Sequence, residues 1–167
     1  MSAPLSIVVL REDIGPAPAA EYAECLADRF PDHDVHFART PAMERSLIET
    51  ADVVAGVHLD KSLLNLAQEL ELFACSWTGT DHLPLSACRE AGVAVTNASG
   101  VHAPGLAAQA IGKILVFTRN LQTAFYQQQD RRWEHFRAGE LDGSTVTIVG
   151  LGSIGSGIAG RLSGFDL

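Results

Sequence analysis

Three glycines near the C-terminal end of the sequence have a spacing that could bind phosphate. Gly150, Gly152 and Gly155 form a Gly-x-Gly-x-x-Gly motif, and the positions between them are Leu151, Ser153 and Ile154. In such a motif the first glycine permits a tight turn, the second lets a pyrophosphate approach the backbone, and the third lets helix and strand pack closely. The spacing predicts a dinucleotide site over residues 150–155, and a purely structural glycine turn is the alternative.

The residues on either side of the motif predict the elements that would position it. Residues 145–149 are apolar and β-branched, which is typical of a strand buried on both faces. Ile154, Ile158 and Leu162 recur every four residues, as on the inner face of a helix whose N-terminus would attract phosphates. The acidic residue that binds the ribose is expected about 20 residues further on. That position lies beyond Leu167, so the sequence does not choose between NAD and NADP.

Composition and charge exclude several function classes. The chain has 167 residues, a net charge of −8 and 47% hydrophobic residues, which is typical of a soluble globular protein. The negative charge argues against nucleic-acid binding, and no apolar run reaches the length of a membrane span. The start of the chain lacks the basic region of a signal peptide. Cys25, Cys75 and Cys88 are too widely spaced for a disulfide framework, which favours a cytoplasmic location, and the histidines show no metal-ligand spacing.

Short strands and helices alternate through the first hundred residues. The pattern predicts strands at residues 5–10, 35–38, 53–57, 72–76 and 93–96, and a loop at residues 15–18. It predicts helices at residues 19–29, 41–48, 61–70 and 81–91, the last of them closed by Gly92. Such alternation implies an α/β fold with a parallel sheet and helices on both faces. Ligands of these sheets bind at the carboxyl ends of the strands.

A longer apolar repeat follows. Residues 104–128 predict one helix of about 24 residues and about 36 Å, long enough to connect two domains. The apolar stripe of this helix consists of Leu106, Ala110, Ile114, Phe117, Leu121 and Phe125.

Taken together, these segments resemble the D-isomer-specific 2-hydroxyacid dehydrogenase family. The resemblance rests on Thr78-Gly-Thr-Asp81 with His82-Leu-Pro-Leu85, on Ala91-Gly-Val-Ala-Val-Thr-Asn97, on the long helix after His102 and on residues 140–155. They occur in the family's order and spacing, and cover about residues 50–167. One departure is Ala107-Ala108-Gln109, where the family usually has Ala-Glu, so this sequence lacks that glutamate.

The resemblance implies a two-domain enzyme that transfers hydride between NAD or NADP and a 2-keto or 2-hydroxy acid. Residues 1–100 would form a flavodoxin-like substrate domain, and residues 101–167 the hinge helix and the first strand, turn and helix of a Rossmann domain. Substrate-binding positions would be Trp77, Thr78, Gly79, Thr80 and Val101. The backbone N–H groups of the first four would bind the substrate carboxylate. The alternatives are a strand-to-helix turn with Asp81 as the N-cap, and ordinary packing of Val101.

The resemblance also implies that the catalytic residues lie elsewhere. The family's carboxylate-binding Arg and its His–Glu pair come after the position of Leu167, so no catalytic residue is expected within this chain. A truncated chain of this kind is expected to be inactive alone. His102 is expected to be structural, and Ser153 and Ser156 do not form the G-x-S-x-G motif of a serine hydrolase.

The glycine motif also bears on assembly. In a doubly wound sheet the strand at residues 145–149 would be central and would need neighbours on both sides. An unpaired strand invites pairing with another chain. We therefore expect a homodimer, with domain exchange through the long helix as one form of it. The alternative function is a non-catalytic dimeric assembly module of the same fold. Another Rossmann-fold enzyme, such as a methyltransferase, is disfavoured by the upstream motifs.

Overall fold

The computed structural model describes residues 3–12 and 18–167. The chain divides into two compact units, Met1–Ser99 and Gly100–Leu167. The predicted loop at residues 15–18 lies, except for Pro18, outside the described residues. Each unit is considered separately below.

The first unit contains a five-stranded sheet in which every pairing is parallel. Its strands are β1 (Ser6–Val9), β2 (Asp34–Phe37), β3 (Val53–Gly56), β4 (Leu72–Cys75) and β5 (Ala94–Thr96). Their spatial order, β2-β1-β3-β4-β5, is that of flavodoxin-like doubly wound folds. The predicted α/β class and all five predicted strands are therefore confirmed.

The described ranges of the first unit also contain four helices. They are α1 (Ala19–Arg29), α2 (Pro41–Ile48), α3 (Lys61–Leu64) and α4 (Leu85–Glu90). The predicted bounds of α1 and α2 are confirmed. Thr40 caps α2 by accepting from the Met43 N–H at 3.2 Å, and Pro41 lies in its first turn.

The other two helices are shorter than the sequence predicts. Beyond Leu64 the N–H groups of Leu66 and Ala67 bond three residues back, so the chain tightens into turns instead of continuing α3. The predicted start of α4 at Asp81 is also wrong. Pro84 disfavours helical geometry at the residue before it, and the helix begins after the proline. Gly92 follows α4 with a φ of 75°, as a helix-terminating glycine should.

The core lies on both faces of the sheet. On one face Val8, Val54 and Phe73 are completely buried in a cluster with Ile48, Leu59 and Cys88. On the other face Val9 and Ala55 pack with Ala19 and Ala23 of α1. Cys75 is buried as predicted, and all three cysteines are free thiols.

The second unit contains α5 (Ala103–Thr118), α6 (Leu121–Gln129) and α7 (Ser153–Leu162). The prediction of one continuous helix over residues 104–128 is wrong, because Asn120 adopts a left-handed conformation with φ 52° and ψ 36°. The Arg119 side chain donates to the Gly139 carbonyl oxygen at 2.9 Å and pairs with Glu140 at 2.7 Å. The break therefore coincides with the docking of residues 139–140 onto the helix junction.

The predicted apolar stripe of the long helix is only partly buried. Small residues, Ala103 and Ala107, form the buried face of α5, whereas Phe117 is 89% exposed. A Cβ atom at Gly157 of α7 would lie 3.4 Å from the Ala107 Cβ, so α5 and α7 approach closely along their small residues. The helical periodicity predicted that large apolar residues would be buried, but the close contact between α5 and α7 requires small residues. Among the described residues, no helix has the length and apolar character that a membrane span requires.

The predicted strand at residues 145–149 is not formed. These residues belong to no strand, and Val149 is 96% exposed. A strand needs a neighbour that completes its backbone hydrogen bonds, and residues 100–167 provide no other strand. Pairing of this segment with a second copy stays a prediction.

Candidate functional site

The glycine turn of the second unit connects residues 145–149 to α7. Gly150 has a φ of 92°, which L side chains rarely adopt. At Gly155, a Cβ atom would overlap the carbonyl oxygen of Gly150 and would lie 3.4 Å from Cγ2 of Ile148. The first and third glycines are therefore required by the shape of the turn itself.

The N-terminus of α7 presents backbone donors at this turn. Gly152 is the N-cap and supplies no side-chain cap, and a Cβ atom placed there would meet no atom within 4 Å. The helical hydrogen bonds begin with the Ser156 N–H, which donates to the Gly152 carbonyl oxygen at 2.9 Å. Within the described part of the chain, the N–H groups of Ser153, Ile154 and Gly155 have no acceptor. Open space beside free donors and the positive end of a helix fits a pyrophosphate.

A groove of about 510 Å³ adjoins the turn. Ala110 and Ile114 of α5 line one part, residues 146–150 line another, and Ile158 of α7 contributes a third. Its lining contains no charged side chain, so backbone amides and the helix dipole are the groups that would bind an anion here. None of the lining residues titrates near neutral pH, so the groove itself contains no general acid or base.

A second turn lies in the first unit, after the carboxyl end of β4. It comprises Trp77, Thr78, Gly79 and Thr80, the predicted carboxylate-binding positions. Trp77 is 51% exposed, and a Cβ atom at Gly79 would meet nothing within 4 Å. No acceptor for the N–H groups of Thr78, Gly79 and Thr80 exists among residues 3–12 and 18–99. Free amides in a turn are the donors of an anion-binding nest.

Neighbouring elements support this second turn. Asn97, just after β5, donates from Nδ2 to the Thr78 carbonyl oxygen at 2.6 Å, and the Ala98 N–H donates to the Trp77 carbonyl oxygen at 3.0 Å. The ring of His82 lies edge-on to Trp77 with centroids 5.6 Å apart, and its Nε2 donates to the Val57 carbonyl oxygen at 2.7 Å. The sequence motifs did not predict that Asn97 and His82 support the turn. Their positions directly after a strand and after the turn were the available signal.

A shallow groove of about 500 Å³ lies beside this turn, lined by Thr80, Leu85, Val95, Thr96 and Asn97. The alternative interpretation, in which Asp81 caps the following helix, is wrong. The helix begins at Leu85, and its N-cap is Pro84. The turn is therefore not explained by helix capping.

The remaining predicted site positions, at the start of α5 and within it, are exposed or make no side-chain capping bond. Val101 lies in the turn before α5 and is 69% exposed. His102 is the N-cap of α5 and makes no side-chain capping bond. Gln109, at the position where the resemblance expects glutamate, is exposed on α5. In the ranges that the structure describes, no three His, Cys, Asp or Glu side chains cluster as metal ligands would.

Comparison with known proteins agrees with this arrangement of a flavodoxin-like sheet and a glycine turn that opens a helix. Residues 111–167 match the NAD binding domain of the D-isomer specific 2-hydroxyacid dehydrogenases. Glyoxylate/hydroxypyruvate reductase HPR3 of Arabidopsis thaliana is 32% identical over 120 residues, which cover 69% of this chain and 37% of the relative. D-3-phosphoglycerate dehydrogenase of Mycobacterium tuberculosis is 28% identical over 166 residues, 96% of this chain and 30% of the relative.

Solved structures lead to the same family. A D-isomer specific 2-hydroxyacid dehydrogenase family protein from Aeromonas salmonicida superposes with a TM-score of 0.81 at 27% identity, covering 99% of this chain and 52% of that one. The chain spans about a third of the curated relatives and about half of this solved structure. The chain belongs to the D-isomer specific 2-hydroxyacid dehydrogenase family.

Proposed function

We propose that this chain provides the substrate-binding unit and the start of the cofactor-binding unit of an NAD(P)-dependent D-2-hydroxyacid dehydrogenase. Membership of the family supports the reaction class. The observation that carries the cofactor assignment is the glycine turn, where an open Gly152 and three free N–H groups meet at the start of α7. The substrate would be a small 2-keto acid or the corresponding 2-hydroxy acid.

Each unit has a separate task in this proposal. The amides of Ser153, Ile154 and Gly155 hold the pyrophosphate, and Gly150, Leu151 and Gly152 shape the turn around it. The bound nicotinamide supplies or accepts the hydride. In the first unit, the amides of Thr78, Gly79 and Thr80, beside Trp77, bind the substrate carboxylate. Val101, in the second unit, is a further substrate-binding residue that the family resemblance implies.

No residue of this chain is assigned to proton transfer. The groove at the glycine turn contains no titratable side chain, and the side chains of the carboxylate turn, one tryptophan and two threonines, do not titrate near neutral pH. We therefore expect the 167-residue polypeptide to bind nucleotide without reducing a 2-keto acid.

An NADH fluorescence titration of the 167-residue polypeptide tests the cofactor assignment, with NADPH measured in parallel. The matched variants are Gly152→Ala, which places a methyl group where the pyrophosphate approaches, and Gly160→Ala, whose Cβ atom also meets nothing within 4 Å. We expect saturable NADH binding that Gly152→Ala weakens at least tenfold and Gly160→Ala leaves unchanged. Absence of saturable binding to the unsubstituted chain, or equal effects of the two substitutions, would contradict the assignment.

A second candidate function, an assembly module, is favoured by the apolar surface of the second unit. Phe117, Trp133 and Val149 are almost fully exposed there. We propose that a second copy of this chain covers this surface, as expected of a homodimer. Native mass spectrometry would then detect twice 17.8 kDa, and Trp133→Glu would return the protein to single chains. A stable dimer that binds neither NADH nor NADPH would favour the non-catalytic alternative.

A further inference from the structure

Two hydrogen bonds connect the segment after β5 to the carboxylate turn after β4. Asn97 Nδ2 donates to the Thr78 carbonyl oxygen at 2.6 Å, and the Ala98 N–H donates to the Trp77 carbonyl oxygen at 3.0 Å. They join residues about twenty positions apart in the sequence. The side chain and the backbone of one short segment thus bind two successive carbonyl groups of the turn.

These bonds determine where the neighbouring N–H groups point. In a trans peptide unit the C=O and the N–H of the next residue point in opposite directions within one plane. The described residues contain no cis peptide bond. Holding the Trp77 carbonyl toward Ala98 therefore directs the Thr78 N–H away from it. Holding the Thr78 carbonyl toward Asn97 likewise directs the Gly79 N–H away from Asn97.

We propose that Asn97 is a positioning residue that aims the Gly79 N–H at the carboxylate of a 2-keto acid. This inference rests on the carboxylate role of the turn in the proposed function. No cationic side chain occurs among residues 76–80, so attraction for an anion there depends on how the amides are oriented. Asn97 is neutral. It therefore acts on the direction of the donor and leaves the charge of the turn unchanged.

The test uses the ¹⁵N-labelled 167-residue chain titrated with pyruvate and followed by amide NMR. Pyruvamide, which lacks the carboxylate, is the control ligand. Asn97→Ala and Asn97→Leu both remove the donor without adding charge, and Leu also preserves much of the side-chain volume. Asn65→Ala is the matched control, because Asn65 is exposed at the end of α3. Asn97→Gln tests whether a carboxamide on a longer side chain restores part of the binding.

In the unsubstituted chain and in Asn65→Ala, we expect pyruvate to shift the Gly79 and Thr78 amide signals saturably, and pyruvamide to leave them in place. Asn97→Ala and Asn97→Leu should each raise the Kd for pyruvate about tenfold, which is the effect of losing one well-formed hydrogen bond. The sheet amides should keep their positions, and Gln should recover part of the loss.

An unchanged pyruvate Kd in folded Asn97→Ala or Asn97→Leu would overturn the positioning role alone. If the turn amides of the unsubstituted chain fail to respond to pyruvate, both this inference and the carboxylate site fail. The cofactor assignment is tested separately, because NADH binding is measured at α7. Loss of the sheet signals in both neutral Asn97 variants would make Asn97 a folding residue and would also overturn the proposal.

Discussion

The two candidate anion turns of this molecule use similar donors but are supported differently. The turn at residues 77–80 follows a strand of a five-stranded sheet, and a side chain from the segment after the next strand holds it. The turn at residues 150–155 follows a segment that pairs with no strand, and its shape comes from Gly150 and Gly155. One turn is therefore positioned by its tertiary neighbours, and the other mainly by its own backbone.

This difference shows which kind of change should damage each turn. The carboxylate turn should depend on the core beneath its sheet and on long-range hydrogen bonds. The glycine turn should depend on single Cβ atoms within it.

Removing a large core side chain should affect the first unit most. Phe73 of β4 is completely buried, so Phe73→Ala should lower the free energy of unfolding by about 4 kcal/mol through lost transfer energy and a cavity. The matched change Phe117→Ala, made in the Trp133→Glu background in which the second unit stays uncovered, should cost about 0.5 kcal/mol or less. Urea unfolding followed by circular dichroism measures both. A large cost for Phe117→Ala in that background would contradict the exposure of this side chain in the single chain.

A single methyl group should disrupt the glycine turn. Gly155→Ala would drive a Cβ atom into the backbone carbonyl of Gly150, so the turn must shift, and we expect NADH binding to weaken about 100-fold, or about 2.7 kcal/mol. Gly160→Ala in the same helix meets open space and should bind NADH normally. Retention of normal NADH affinity by Gly155→Ala would show that the turn is not held by this close approach.

The smallest expected effect concerns the cap of α3. A hydrogen bond from the Ser62 hydroxyl at 2.7 Å, together with one from the Leu63 N–H at 2.8 Å, lowers the pKa of Asp60 below its ordinary value. A lowered folded-state pKa stabilises the fold above the unfolded pKa of about 3.9, and this contribution is lost as the pH falls through the folded value. Asp60→Ala should therefore cost about 1 kcal/mol at neutral pH and less near pH 3.

The matched variant for this cap is Asp60→Asn, which keeps a capping oxygen without a titratable group. It should preserve most of the stability at neutral pH. Urea unfolding at several pH values measures both variants. A cost of Asp60→Ala that stays constant from pH 7 to pH 3 would exclude the carboxylate as its source.

Much of the first unit could be predicted because its signals are local. The buried strands around Val8, Val54 and Phe73 are continuous apolar runs, and Thr40 with Pro41 marks the start of α2. The start of α4 in the first unit and the single long helix in the second unit were predicted wrongly, and in both cases one residue changed the local backbone geometry. Because of Pro84, α4 begins at Leu85, and the left-handed conformation of Asn120 separates α5 from α6.

The segment at residues 145–149 shows a different limit. Its composition favours a strand, yet composition alone supplies no hydrogen-bonding partner, and Val149 is left exposed. Similarly, the stripe of Leu106 and Phe117 is regular, whereas the contact between α5 and α7 uses Ala107 and Gly157. Which face of a helix is buried depends on the shape of its neighbour.

The α/β class, the five strands of the first unit and the glycine turn follow from the sequence alone, because they depend on backbone preferences and apolar patterns within a few residues. The contact of Asn97 with Thr78 and the contacts of Arg119 with residues 139–140, beside the break at Asn120, depend instead on tertiary packing. Those contacts join residues about twenty positions apart. Such contacts form only when the packing of helices and strands brings the two residues together, and no local sequence pattern predicts them.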